Sequence, residues 1–543
     1  MSETLVWSAK HNALLARNEI YVTHIKLTRA SAGSNRVKIC FNIGWNNSWR
    51  YKEGGYRGGN WDAAWVFIKL NAGKTTPQLE ELFPGYVPGT WGPAHLCTRP
   101  ADHAGPPEAQ IMPAEDGMGV FIYRSQPGGP GPVRFDGIEL TCKASTSSFV
   151  NTATEVSVSV FAYRMVYIPG GAFWIGDPQG PHGPMNTFFD PASHAKNADN
   201  QAYRVESEAA IPIGTQAADS GPRTLAYHSQ GYGGDRKGPL PAEFPKGFEA
   251  FYVMRSHVSQ GQYARFVNFI PVSGKTNRFP YLGEGSFRFT IFTDRAGQRI
   301  ATRPRRACNF LAWADGAALA CWAGLRPMTE LEFAKACRGF GDPVTDEFAW
   351  GDRRIELAQI IVGQENGREI VSGNCNTSNA FTPFDGGDGG YGPVRDDGLV
   401  MAGSPDAMAV FPDQKQTFTV TAEAFKRVRQ GQQREFGSSY FGVMGMSGNL
   451  WEYCVSVGLP EGRCFTGKHG TGTVTVEGDA CHEELGWPGT EMVGVGFRGG
   501  SWYTDEKLCR LADRTYAAGL KDYAFRSHDT GFRCARTAPK VQD

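Results

Sequence analysis

Near its C-terminus the chain runs Gly496-Phe497-Arg498-Gly499-Gly500-Ser501-Trp502-Tyr503 and later Thr530-Gly531-Phe532-Arg533-Cys534-Ala535, enclosing a polar, weakly periodic stretch rich in Tyr, Asp, Arg and Lys. Glycines flanked by aromatics and arginines predict short, closely packed strands, whereas the middle has too little apolar alternation to be core. The expectation is a surface loop carried on a rigid frame, and such loops concentrate binding and catalysis. Covalent or metal chemistry would need nucleophiles or ligands in sets. The 12 cysteines (Cys40, Cys97, Cys142, Cys308, Cys321, Cys337, Cys375, Cys454, Cys464, Cys481, Cys509 and Cys534) are scattered, with no Cys-x-x-Cys pair. That argues against a zinc cage and for buried thiols in a reducing compartment. His182, His194 and His228 are too dispersed along the sequence to read as a metal set.

The loop needs a large scaffold, and 543 residues with 41% hydrophobic content can supply one of about two or three domains. Lys+Arg and Asp+Glu both number 55, so no basic excess exists to hold nucleic acid or a polybasic membrane contact. With 68 Gly and 33 Pro but no repeat period, the chain is rich in ordered turns and long connections. The N-terminus shows no basic segment followed by an apolar one, and nowhere do about eighteen apolar residues run together. No signal peptide or membrane span is expected. The protein is then cytoplasmic as synthesised, with a virion or a leaderless route to a surface as the exception.

Residues 1–162 read as an antiparallel β-sandwich. The runs 37–43, 65–70, 119–124, 137–142 and 156–161 are apolar or alternating and lie between Gly/Pro/Asn clusters. Trp45, Trp49, Trp61, Trp65 and Trp91 suit either the sandwich core or an aromatic carbohydrate platform. A second domain over 163–543 follows almost without linker, so the two are expected to pack. Residues 178–245 form an insertion too long for an inert connection. Three helices are expected beyond it. One runs from Ser259 to Phe269, and one from Cys308 to Trp322, interrupted by Asp315. The third is capped by Thr329 with Glu332 and ends at Gly339.

These signposts together resemble the sulfatase-modifying-factor family, the formylglycine-generating-enzyme type of C-type-lectin-like domain. The residues that carry the resemblance are Met165 to Gly176, Phe251-Tyr252-Val253 with the helix to Asn268, and Ala320 to Phe333. Gly442 to Tyr453, Arg498-Gly499-Gly500-Ser501-Trp502 and Gly531-Phe532-Arg533-Cys534-Ala535 complete the set. The fold class implied is α+β, a β-sandwich followed by a loop-rich lectin-like domain. Function does not follow from fold.

The resemblance implies a copper(I) pair of cysteines, and the two matching positions here are Thr504 and Cys509. A hydroxyl is a poor ligand for a soft ion, so copper is not expected. Were the chain enzymatic, Cys509, Ser501 and Trp451 would be its catalytic candidates. No His-x-x-x-His-x-Glu is present for the related iron chemistry. For calcium, the resemblance implies one site at Gly448, Leu450 and Glu452 and a second at Asn376, Asp388 and Tyr391. Metal-free Asx-turns stand beside it as the other reading.

The scaffold also resembles the variable proteins of diversity-generating retroelements, in which the stretch between Arg-Gly-Gly-Ser-Trp and Gly-Phe-Arg is a binding surface. Here the ligand-binding candidates are Trp502, Tyr503, Asp505, Glu506, Lys507, Leu508, Tyr516, Lys521, Asp522, Tyr523, Phe525, Arg526, Ser527, His528 and Asp529. They mix rigid aromatic anchors with adaptable polar groups. The expected function is ligand binding or display towards a protein or glycan, without nucleic acid or membrane insertion. The N-terminal domain would dock to a larger assembly. The alternatives are a copper-dependent oxidase of the formylglycine-generating type and a structural subunit of a phage tail or surface assembly.

Overall fold

The computed structural model describes residues 20–29, 36–52, 59–72, 91–143, 156–215, 223–280, 286–355, 360–362, 370–372, 437–519 and 526–540. Asn376, Asp388, Tyr391, Lys521, Asp522, Tyr523 and Phe525 lie outside them. The fold is α+β.

A three-stranded antiparallel sheet is built from β1 (Tyr21–Arg29), β2 (Arg36–Arg50) and β7 (Gly128–Lys143), with β2 in the middle. It packs on an eight-stranded sheet of order β14 (Arg326–Pro327), β20 (Cys534–Thr537), β11 (Phe251–Met254), β8 (Val156–Ile168), β3 (Asp62–Ala72), β6 (Val120–Arg124), β5 (Ala109–Pro113). The eighth strand, β4 (Gly92–Pro93), pairs with β3.

Side-chain alternation along β3 makes this large sheet a middle layer. Ala64, Val66, Ile68 and Leu70 enter the sandwich core with Ile39, Phe41, Ile43, Trp45, Ile138 and Leu140. On the opposite face Ala63, Trp65 and Phe67 join the larger core, which holds Tyr263, Phe266 and Trp322. Trp45, Trp49, Trp61 and Trp65 are buried, and Trp91 packs on Phe269 at 4.4 Å, so these five brace the core and its edge. Strand β8 runs unbroken through residue 162. It pairs with β3 from Asp62↔Val166 to Ala72↔Val156 and with β11 from Phe251↔Ile168 to Met254↔Met165, so one sheet extends across both sides of the boundary drawn there.

The helices follow local signals where those exist. Helix α1 (Pro191–Ala195) is capped by Asp190, and α2 (Gln260–Phe269) opens on a Ser259/Gln262 capping box. After α3 (Val272–Asn277), α4 (Trp313–Trp322) begins five residues later than the apolar spacing from Cys308 suggests. The cause is Asp315, whose carboxylate accepts the Ala312 N–H at 2.8 Å and so starts the helix there. Helix α5 (Glu330–Arg338) carries the Thr329/Glu332 capping box and stops at Gly339, φ 64°. Among the described residues no helix is long and apolar enough to cross a membrane.

The stretch 178–245 is woven in. Strand β9 (Phe173–Ile175) pairs with β10 (Tyr203–Val205), and Phe188, Leu225, Tyr227, Leu240 and Phe244 enter the main core. The Arg514 guanidinium lies 4.0 Å from the Phe188 ring and 4.4 Å from that of Tyr227, so the segment is bolted to the C-terminal frame.

Three buried lysines tie loops to carbonyls. Lys69 donates to Trp322 O and Gly472 O, Lys335 to Gly247 O, and Lys246 to the carbonyls of Phe244, Pro241 and Ala242. Burial pulls Lys69 and Lys335 down to about 7 and Lys246 to about 8, from 10.5. Between these values and 10.5 the unfolded chain holds protons the folded chain lacks, so each lysine makes stability rise with pH in that window. The urea unfolding free energy of the wild type, minus that of Lys69→Met, is therefore expected to be level below about pH 6 and to climb from about pH 7 towards about pH 10. A difference independent of pH would disprove a depressed Lys69.

Candidate ligand-binding site

A small sheet frames the C-terminal loop: β18 (Val495–Arg498) pairs antiparallel with β17 (Trp451–Val455), which pairs in parallel with β19 (Thr530–Gly531). After β18 the chain turns sharply at Gly499 and Gly500. Gly500 has φ 71°, and a Cβ there would stand 2.3 Å from Cys509 Sγ, so only glycine fits. Ser501 then closes a tight turn. Its N–H donates to Thr504 Oγ1 at 2.9 Å, and the Thr504 hydroxyl donates to the Ser501 carbonyl at 3.1 Å. The Asp529 carboxylate staples the two ends of the loop, accepting from Ser501 Oγ at 2.8 Å and Ser527 Oγ at 2.5 Å. Asp505 accepts the Lys507 N–H at 2.8 Å and starts a short 3-10 turn over Glu506–Cys509.

Above this frame sits an aromatic cluster. The His528 ring lies 4.4 Å from Phe287, 4.9 Å from Tyr503 and 5.2 Å from Trp502, centroid to centroid. Phe287 (φ 46°), Arg288 (φ 63°) and Phe310 (φ 57°) all adopt the left-handed backbone, a strain that collects at functional sites. Asn309 holds them in place by donating to Phe287 O and His528 O, both at 3.0 Å. Burial lowers the His528 pKa, and its Nε2 is buried with no hydrogen-bond partner. The Nε2 atom is turned away from solvent, so what the imidazole offers the surface is its ring, walled by aromatic faces and set beside the exposed Tyr503.

The expected loop residues divide into two groups. Tyr503, Asp505, Glu506 and Lys507 are exposed, Tyr503 at 45%, and Ser527 and His528 are half-buried at the rim. The others turn inward. Trp502 and Asp529 are buried, Leu508 packs on the core, and Tyr516 meets Trp451 edge-on at 5.7 Å. Arg526 is clamped on Asp315 by two 2.7 Å hydrogen bonds and a third to Asn277 O. Arg526 and Asp529, expected among the ligand-binding residues, instead hold the frame. The same holds for Ser501 and for Trp451, which is buried against Phe497. Phe287, Asn309 and Phe310 were not foreseen, because nothing in their residue types announces a left-handed backbone.

Among the described residues, the copper positions and the first calcium turn have donor sets that fit neither metal. At the copper positions Thr504 spends its hydroxyl on the Ser501 turn, and the Cys509 thiol is buried beside Phe348 and Trp350. One thiolate and a turn-closing hydroxyl are not a copper(I) pair. At the calcium turn the Glu452 oxygens take three hydrogen bonds from Arg533, at 3.1, 3.0 and 2.8 Å, while His257 Nε2 lies 3.2 Å from Glu452 Oε1 and from Leu450 O. The Gly448 N–H donates to Gly499 O at 2.7 Å. An arginine stands where a cation would, so Gly448, Leu450 and Glu452 make an ion-paired turn. His182 and His194 do meet, at 5.8 Å between centroids, yet among the described residues no group of three or more His, Cys, Asp or Glu is placed to hold a metal.

Residues 193–538 match the family model of the sulfatase-modifying factor enzyme 1-like domain. No curated protein matches the chain.

Proposed function

The chain belongs to the sulfatase-modifying factor enzyme 1-like family, and from that premise we propose that it is a non-catalytic member that binds a protein or glycan through its C-terminal loop face. The observation that carries this reading is the exposed Tyr503 ring seated on the aromatic-walled His528 at the rim of the loop. Rigid aromatic anchors of this kind dominate binding energy, while rim charges such as Asp505, Glu506 and Lys507 set orientation and encounter rate. The N-terminal sandwich would be the part that docks to a larger assembly.

The test is a screen of the full-length protein against glycan and protein arrays, repeated with Tyr503→Ala. Tyr503 is too exposed to matter to folding, so its removal is expected to weaken capture about thirty-fold, or ~2 kcal/mol, with unchanged thermal stability. Equal capture by the variant would end the assignment. The oxidase alternative has its own readout: copper(I) uptake measured against a competing chelator is expected to be unaffected by Cys509→Ser. Uptake abolished by that substitution would move the reading to oxidase chemistry.

A further inference from the structure

Away from the loop face, the fold gathers histidines that the sequence scatters. The 3-10 turn Gly180–His182 and helix α1 fold onto each other, so that the His182 and His194 rings meet at 5.8 Å between centroids, inclined by 58°. Both backbones are fixed. The Gly180 N–H donates to Asp177 O at 2.9 Å and the His182 N–H to Gln179 O at 3.2 Å. Asp190 caps α1 by accepting the Ala192 N–H at 3.1 Å, and the His194 N–H donates to Asp190 O at 3.0 Å. Gln201 ties the two segments together. Its Oε1 lies 2.8 Å from His194 Nδ1, and a Cβ on Gly180 (φ 54°) would collide with that same oxygen, so the turn carrying His182 closes on Gln201 only because residue 180 is glycine.

We propose that His182 and His194 form a surface site for a borderline divalent cation, zinc above all, bound by one nitrogen of each imidazole and by water in its remaining positions. With Gln201 Oε1 as acceptor, His194 Nδ1 carries the proton and Nε2 keeps its lone pair. The His182 ring is exposed, and neither of its nitrogens is hydrogen-bonded to another described residue. Each histidine therefore has a nitrogen to give. Bound zinc would pin the turn after β9 to α1, within the 178–245 stretch.

The geometry and the surroundings suit this ion. Imidazole nitrogens are matched to zinc and its neighbours in the transition series. Two imidazoles on one zinc, with Zn–N bonds of about 2.0–2.1 Å, set their ring centres about 5–5.5 Å apart. The observed pair has to close by about half an ångström, which rotation of the exposed His182 side chain supplies. Gln201 takes the supporting part, since an acceptor on the second nitrogen of a ligating histidine fixes its tautomer and ring direction. The charges nearby leave room for a cation. Arg223 is neutralised on Asp190. His228 stands 5.7 Å from the Phe189 ring, which His194 meets at the same distance, and burial, Arg236, His194 and His182 lower its pKa, so His228 adds no fixed positive charge.

The deciding experiment is equilibrium dialysis of the full-length protein, free of any histidine tag, against zinc chloride, after alkylation has blocked exposed thiols such as Cys464. Uptake of one zinc per chain is expected. His182→Ala should raise the zinc concentration for half-loading about tenfold or more, because the second imidazole then no longer binds within the same molecule. Gln201→Ala should raise it about tenfold through His194 alone. His182 is exposed, so its variant is expected to melt with the wild type when no zinc is present. No uptake at millimolar zinc, or uptake that His182→Ala leaves unchanged, would overturn the proposal. If Gln201→Ala does not fold, His182→Ala decides alone. The result is independent of the loop face, because none of these residues belongs to it.

Discussion

Glu330→Ala is expected to cost the protein about 3–5 kcal/mol, the range for removing one partner of a buried ion pair. Glu330 is 1% exposed and opens α5. Its Oε2 accepts from Arg514 Nε at 2.7 Å and Arg498 Nη1 at 3.1 Å, and its Oε1 from Arg514 Nη2, the Val457 N–H and Ser456 Oγ. Burial alone would raise the carboxyl's pKa, but Arg514 and Arg498 outweigh it and hold it below its ordinary value. Truncation leaves two guanidinium groups in a dry core without their anion. Arg514 also grips Asn186 O, so the 178–245 segment should loosen with it. Urea unfolding checks the size, and hydrogen exchange around residues 186–188 checks the route. A variant within about 1 kcal/mol of wild type would show that solvent reaches this network, contrary to its burial.

The second large effect is expected at the loop's own frame. Arg533→Met strips Glu452 of three hydrogen bonds and frees the carbonyls of Met254 and Met444, which the same guanidinium satisfies at 2.9 and 2.7 Å. A loss of about 3–5 kcal/mol is expected again, and Glu452→Gln added to it should cost less than the sum of the two, because the charge left stranded is gone. The same pair separates ion-pair from calcium chemistry. With Arg533 as the cation of Glu452, any response of the melting temperature to calcium or a chelator should be the same in the wild type and in Glu452→Gln. A rise with calcium concentration that Glu452→Gln abolishes would mean a ligand bound at this turn in the folded state and would refute the ion-paired turn.

Much of this architecture was legible one segment at a time. Alternation marked β2, β3, β6, β7 and β8, and the Ser259/Gln262 and Thr329/Glu332 boxes marked α2 and α5, because each signal lies within a few residues of what it controls. The glycine-marked ends of the C-terminal loop belong to the same class. Strands β1 and β5 were missed, and the helix expected from Cys308 starts at Trp313, since neither hydropathy nor spacing reveals that Asp315 faces Ala312.

Residue type, spacing and motif order by themselves determined the α+β class, the family and the place of the loop. Tertiary structure alone decided which polar residues of that loop face solvent. Arg526 and Asp529 have the same chemistry as Lys507 and Asp505, but Asp315 and Ser501 draw the first two inward. It alone decided that Arg533 would occupy the Glu452 turn and that Phe287 and Phe310 would wall His528. Each of these depends on a partner far away in sequence, and burial makes an electrostatic or hydrogen-bonding partner matter most where a local reading cannot see it.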